Sequence, residues 1–272
     1  MTQPSPALHP SNTWNRPEFV DYYTRLHASP EMAAKVETLY RTIAAVLGDK
    51  AGSALDVADV GCGPGLQSLI WARHGHRVTG IDISDAFITA ARARAAAEGN
   101  AAHYEVGSAT ALPLETASQD VCLVPELLEH VENWQAVVAE ATRVLRPGGL
   151  LYISTSNRLC PVQHEFDLPL YSWYPPRLKR YYEHLARTTR PEIANYATFP
   201  AVNWFSFYDM RRYLGDHGFD RVLDRFDMAA CRGSGVLRDA VIGAIRLLPP
   251  LRFAGHVASP PMVICAFRAL AR

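Results

Sequence analysis

From about residue 55 onward the chain alternates two kinds of pattern. Short, nearly continuous apolar runs alternate with longer stretches whose apolar residues recur every three or four positions. The first kind predicts strands buried on both faces, and the second predicts amphipathic helices packed over them. Strands are expected near 55–60, 77–83, 103–107, 120–124 and 149–155, with helices near 66–74, 85–98 and 133–146. This alternation implies a parallel sheet joined by right-handed crossovers. Upstream, residues 1–13 are rich in Pro and Ser and are expected to be disordered. Helices over Pro17–His27 and Ser29–Leu47, the second opened by Ser29-Pro30-Glu31 and closed at Gly48, form a cap over 14–50.

Downstream the pattern lapses. Residues 158–204 are heavy in Pro, Tyr, Trp and His, with one helix expected around Pro176–Arg187. A connection this long in a compact domain reads as a lid or binding element. A helix over Ser206–His217 and strands over Arg221–Met228 and Pro261–Phe267 restore the pattern, interrupted at 231–259. The expectation is an α/β, Rossmann-like, doubly wound sheet of seven mostly parallel strands with helical lid insertions. Its core spans 51–157, its substrate lid 158–204 and the C-terminal part of the sheet 205–272.

Between the first strand and its helix lies Gly61-Cys62-Gly63-Pro64-Gly65. Glycines at alternate positions let the backbone turn sharply and let a ligand approach without meeting a Cβ. The N–H groups of the turn and of the helix start favour a polar or anionic group. The spacing is not the Gly-x-Gly-x-x-Gly of dinucleotide sites. The second strand ends in Asp82, about 20 residues on, where a carboxylate in such sheets accepts hydrogen bonds from a ribose diol. Together they imply an adenosyl ligand without a pyrophosphate, which S-adenosylmethionine fits. The plainer reading is an ordinary β–α turn and a strand-capping acid.

Bulk properties narrow the field. Lys plus Arg and Asp plus Glu each number 27, so no global field recruits nucleic acid. The cysteines at 62, 122, 160, 231 and 265 lack Cys-x-x-Cys spacing, which favours buried thiols over disulfides or zinc. Neither a signal peptide nor a membrane span is indicated, so a soluble cytoplasmic protein is expected.

Five stretches carry a resemblance: Asp-Val-Gly-Cys-Gly-Pro-Gly (59–65), Gly-Ile-Asp-Ile-Ser (80–84), Ala-Leu-Pro-Leu (111–114), Glu-Leu-Leu-Glu-His-Val (126–131) and Leu-Arg-Pro-Gly-Gly-Leu-Leu (145–151). With them the chain resembles the class I S-adenosylmethionine-dependent methyltransferases. The run at 126–131 and the Ser-Asn-Arg after the fifth strand look most like the ubiquinone-biosynthetic O-methyltransferases. The resemblance implies S-adenosylmethionine as cofactor, with Asp59, Gly61, Gly63 and Gly65 around its methionine portion. Asp82 would hold the ribose and Ile83 would pack on the adenine. Ser108 and Ala109 stand where the family often has an acid for the adenine amino group, and serine there is a departure. Val124 and Pro125 would floor the methyl-transfer site.

Methyl transfer to oxygen needs alignment, water exclusion and a route for the acceptor's proton. Glu126, Glu129 and His130, at i, i+3 and i+4, would share one helical face. They are candidates for a Mg²⁺ site with His164 as a fourth ligand, similar to the Glu-x-x-Glu-His site of the small-RNA 2′-O-methyltransferases. Equally open are His130 as a metal-free general base with Glu126 beside it, and a purely structural histidine. The lid offers Tyr171, Trp173, Tyr174, Tyr181, Tyr182, Tyr196, Trp204 and Phe205 as an aromatic wall for a ring or lipidic acceptor, part of it ordinary lid core. Arg158, Arg177, Lys179, Arg180 and Arg187 either meet a carboxylate or phosphate or form a solvated face. The apolar helix 235–248 either rests peripherally on a membrane or packs against the lid or a dimer partner. The expected activity is O-methylation of a phenolic, catechol-like or vicinal-diol small molecule. N-methylation of an amine or amino sugar and a catalytically dead cofactor-binding protein are the alternatives.

Overall fold

The structure, a computed structural model, describes residues 17–194, 201–233 and 235–270. The expected disorder of 1–13 and Tyr196 of the lid lie outside them.

Two helices open the fold, α1 (Pro17–His27) and α2 (Pro30–Leu47). Then come β1 (Asp56–Val60), α3 (Leu66–Arg73), β2 (Arg77–Asp82), α4 (Asp85–Ala97), β3 (His103–Val106) and β4 (Gln119–Pro125). They lead into α5 (Trp134–Val144), β5 (Leu145–Ser156) and the lid helix α6 (Pro176–Thr188). The chain returns through α7 (Phe207–Asp216), β6 (Phe219–Asp224), α8 (Arg225–Arg232), α9 (Val236–Leu247), α10 (Pro249–Val257) and β7 (Pro261–Arg268). The strands form one seven-stranded sheet in the order β3-β2-β1-β4-β5-β7-β6, with β7 antiparallel to both of its neighbours. The order reverses between β1 and β4, and it is outside the strand ends at such a point that doubly wound sheets bind ligands.

The central strands are buried on both faces, which is why they read as continuous apolar runs. Ala58, Val60, Cys122, Val124, Leu151 and Ile153 join one core with residues of α5 and α7. Val57, Val121, Leu123, Leu150 and Tyr152 join the other, with residues of α2, α3 and α8. Serines start the helices where expected. Ser29 accepts Met32 N–H and Ser84 accepts Phe87 N–H, each at 3.2 Å.

Two expectations shift. The strand read over Arg221–Met228 ends at Asp224, because that residue starts a helix instead. Its carboxylate accepts the N–H groups of Phe226 and Asp227 at 2.9 Å, and Asp227 Oδ2 accepts Asp224 N–H at 3.3 Å. This reciprocal cap commits the chain to α8. Pro249 and Pro250 open α10, where a missing N–H costs nothing. The strand expected from 149 begins at Leu145, so Arg146-Pro147-Gly148-Gly149 lies within β5, with a register shift against β4. Arg146 there pairs with Asp56 at 2.9 Å and Asp120 at 2.8 Å, tying three strands at the edge opposite the glycine turn.

All five cysteines are free, and only Cys231 is exposed. Among the described residues no helix is long and apolar enough to cross a membrane. Helix α9 and the start of α10 leave Val236, Leu237, Val241, Leu247, Leu248 and Leu251 exposed.

Candidate active site

The chain leaves β1 through Gly61, Gly63 and Gly65 at φ of +75°, +52° and +82°. L side chains resist this left-handed region. The N–H groups of Gly61 and Cys62 donate to Ile81 O at 2.8 and 3.1 Å, and Gly63 N–H donates to Asp82 Oδ2 at 2.9 Å. The turn is thus stitched to the end of β2. A Cβ on Gly65 would sit 2.7 Å from Tyr104 Oη and 2.8 Å from Ala91 Cβ, so packing also demands glycine there. On Gly63 a Cβ would meet nothing within 4 Å, and the cradle is open at that point.

Asp82 lies where the sequence put it, half-buried at the end of β2, and also accepts Ser84 N–H at 2.9 Å. Burial raises its carboxyl above the ordinary range. Ile83 follows with 45% of its surface exposed, an apolar side chain beside a carboxylate and available to a flat ring. Ser108 and Ala109 are half-buried, and the Ser108 hydroxyl shares a 2.9 Å hydrogen bond with Thr110 Oγ1. Asp59 departs from the expectation. It is fully buried beneath the turn and accepts Ser68 Oγ–H at 2.6 Å and Gln67 Nε2–H at 3.3 Å. Burial pushes its carboxyl up to about 6. Asp59 therefore anchors the first turn of α3 and does not line the cradle.

The run after β4 is not helical. Residues 126–133 form consecutive turns, entered through Glu126 at φ +45°. The expected helical face of Glu126, Glu129 and His130 is therefore not built. Glu126 is exposed, whereas Glu129 points into the protein with no exposed surface. Glu129 Oε2 accepts Thr155 Oγ1–H at 2.6 Å, while its Oε1 is buried with no hydrogen-bond partner. Burial, then the charges of Glu126 and Glu165, hold this carboxyl well above the carboxylate range against the Thr155 hydrogen bond.

The lid supplies the group that the sequence reading missed. Glu165 approaches His130, with Oε2 at 4.0 Å from Nε2. Ligand atoms of Glu129, His130 and Glu165 all lie within 4.8 Å of one another. His164 is exposed and falls outside this group. Gln163 aims the segment, its Oε1 accepting the N–H groups of Glu165 and Phe166 at 2.8 and 2.9 Å. Tyr23 of α1 belongs to the same neighbourhood: burial and the charges of Glu165, Tyr22 and Glu129 raise its phenol above the ordinary range. Neither Glu165 nor Tyr23 carries a motif. The only signal was adjacency to His164 and a place on the expected cap.

The turn is held to the lid's return segment by Asn203. Its Nδ2 donates to Leu128 O at 2.9 Å and Val131 O at 2.7 Å, and the N–H groups of Val202 and Asn203 donate to Glu129 O at 2.9 and 3.2 Å. The aromatic wall divides. Tyr171 is fully buried, stacked on Phe166 at 4.0 Å, and Phe205 packs on Trp134 in the sheet's core. Tyr182 packs against Tyr174 and Tyr181, and Tyr181 is exposed. Trp173, Tyr174 and Trp204 line a cavity of about 920 Å³ between the lid and α10.

A methyltransferase domain family matches residues 58–153. The ubiquinone biosynthesis O-methyltransferase of Idiomarina loihiensis is 39% identical over 103 residues, 38% of this chain and 42% of that one. The malonyl-[acyl-carrier protein] O-methyltransferase of Serratia marcescens is 37% identical over 97 residues, 36% of each chain. The chain thus matches less than half the length of these curated relatives. Magnesium protoporphyrin IX methyltransferase from Synechocystis PCC 6803, solved with bound SAH, superposes with a TM-score of 0.56 at 18% identity, covering 95% of this chain and 98% of that one. A SAM-dependent methyltransferase from Methanosarcina mazei gives 0.52 at 21%, covering 80% and 94%. Over residues 58–153 the chain carries a methyltransferase domain, similar there to ubiquinone biosynthesis O-methyltransferases, and its sheet has the fold of methyltransferases of known structure.

Proposed function

We propose that this protein transfers a methyl group from S-adenosylmethionine to an oxygen of a small phenolic, catechol-like or vicinal-diol acceptor. The residues fit the cofactor: an open glycine cradle at Gly63, a carboxylate at Asp82 and an exposed apolar face at Ile83, with Pro125 leading into the turn of Glu129. The cofactor, when bound, supplies the electrophilic methyl and its sulfur leaving group.

Oxygen as the nucleophile rests on one observation, the cluster of buried Glu129 with half-buried His130 and Glu165. The imidazole of His130 would take the acceptor's hydroxyl proton during the transfer. The carboxylate of Glu165, 4.0 Å away, favours the imidazolium that results. Glu126 stands exposed at the rim, where it adds negative potential. Bound cation is the second reading, favoured by the orphaned Oε1 of Glu129. Two carboxylates and an imidazole suit a hard divalent ion such as Mg²⁺, which would polarise the acceptor oxygen.

The experiment is a methyl-transfer screen over catechols, hydroxybenzoates, prenylated phenols and amino sugars, with and without chelator. Calorimetry with Mg²⁺ on wild type and Glu165→Gln runs beside it. Oxygen methylation abolished in His130→Ala supports the reading. Methylation of amines alone, undisturbed in His130→Ala, overturns it. Full activity in chelator, with no Mg²⁺ heat, removes the cation and leaves His130 as the base.

A further inference from the structure

We propose that the cavity between the lid and the C-terminal helices is an anion-selective acceptor subsite, in which Lys179 meets a carboxylate or phosphate carried on a flat apolar body. Its walls are mostly apolar, with Leu159, Trp173, Val202, Trp204 and Phe253 among the lining residues. At about 920 Å³ it is an open groove with room for a drug-sized ligand.

Lys179 projects from α6 into this wall. Its Nζ lies 4.4 Å from the ring centre of Trp204 and 5.6 Å from that of Tyr171. Two aromatic faces hold the ammonium in place, yet a face gives only partial compensation for lost water. Among the described residues no carboxylate lies within 4.0 Å of this Nζ. Burial, with the charge of Arg158 adding to it against Glu183, lowers the amine to about 8. Of the other charges lining the cavity only Glu183 opposes this, without forming an ion pair. Arg158 is committed to Asp209 at 2.7 Å, and Arg180 is exposed. Glu183 is the acid of the lining, and burial raises its own carboxyl. A half-desolvated cation between indole and phenol rings favours an anion, because its charge is poorly screened there.

The cavity also adjoins the candidate transfer turn. Val202 lines it, and the Val202 N–H donates to Glu129 O at 2.9 Å. An acceptor anchored by its anionic end at Lys179 extends toward that turn. As an acceptor subsite this rests on the methyl-transfer reading; as an anion site it does not.

The test is calorimetric titration of the full chain with 1-hydroxy-2-naphthoate, 1-naphthyl phosphate and the neutral methyl ester of the first. S-adenosylhomocysteine is titrated into the same preparation. One or both anions should bind about tenfold or more tighter than the ester, as a charge-assisted contact predicts. The tighter of the two assigns the anionic group. Lys179→Met should abolish that discrimination and Lys179→Arg should keep most of it. An ester that binds as well as the anions, discrimination that survives Lys179→Met, or no binding by any of the three overturns the inference. Tight S-adenosylhomocysteine binding without anion discrimination overturns it and leaves the methyl-transfer reading standing. Discrimination without S-adenosylhomocysteine binding supports the anion site and overturns the methyl-transfer reading.

Discussion

Two glycines of one turn should fail in different ways when each is replaced by alanine. Both have positive φ, +52° at Gly63 and +82° at Gly65, so each substitution carries a left-handed penalty of about 1 kcal/mol. At Gly63 that is the whole cost, since a Cβ meets nothing within 4 Å. At Gly65 the Cβ lands within 2.8 Å of both Tyr104 Oη and Ala91 Cβ. Tyr104 is almost fully buried and its hydroxyl donates to Gly65 O at 3.1 Å, so it has little room to yield. Overpacking of this kind adds about 1–3 kcal/mol. Gly65→Ala should therefore lose about 2–4 kcal/mol and Gly63→Ala about 1 kcal/mol, or roughly 5–15 °C against roughly 2–4 °C in melting temperature. Binding should sort the other way per unit of stability lost. The open side of Gly63 is where the cofactor's methionine end is placed, so Gly63→Ala should weaken S-adenosylhomocysteine about tenfold or more, a steric cost above 1.4 kcal/mol. Urea melts and calorimetry read both quantities. Equal stabilities would refute the packing argument. A Gly63→Ala protein that binds S-adenosylhomocysteine as the wild type does would refute the cradle.

Three further outcomes follow from buried polar groups. Asp59 has its folded carboxyl raised to about 6, so its contribution to stability is full below about pH 4 and is lost as pH rises through 6. Asp59→Asn should gain on the wild type by about 2–3 kcal/mol between pH 4 and pH 7 in urea melts, and parallel pH curves would count against this. Asp224 runs in the opposite sense: His256 at 3.0 Å and Arg252 at 2.7 Å overcome burial and hold it at about 2. The advantage of wild type over Asp224→Asn should be full above about pH 4 and shrink as pH falls toward 2, and a difference independent of pH would refute it. Asn203→Ala removes two hydrogen bonds to Leu128 O and Val131 O, a loss of about 2 kcal/mol. Amide exchange over 128–131 should quicken in that variant, and unchanged protection would show that the side chain does not hold the turn.

The parallel core was readable because its strands are buried on both faces and so spell themselves out as apolar runs. The cradle was readable because positive φ forces glycine. What escaped notice lacks such a local signature. Arg221–Met228 has the apolar content of a strand, yet Asp224 and Asp227 trap it as a helix start through a reciprocal cap. Glu126, Glu129 and His130 have helical spacing, but Glu126 enters a left-handed conformation and sends Glu129 inward while remaining exposed itself. Glu165 reaches His130 only through tertiary folding of the lid, and spacing along the chain cannot report a contact between residues 35 positions apart. Asp59 sits in the glycine motif but beneath it, a distinction between two sides of one turn that sequence does not encode.

Two asparagines mark the joints of the lid. Asn157 donates to His256 O at 2.8 Å and Ser259 O at 2.7 Å, fixing the exit from β5 to the end of α10. Asn203 fixes the return to the turn of Glu129. For anyone exchanging acceptor specificity between relatives, the segment between them is a cassette whose splice points are held by side-chain amides as well as by backbone. A graft cut inside 158–202 keeps both clasps, and to leave the transfer turn intact it must also retain Gln163 and Glu165. A graft that carries either asparagine away also unfastens the turn or α10, and its failures would then be misread as failures of recognition.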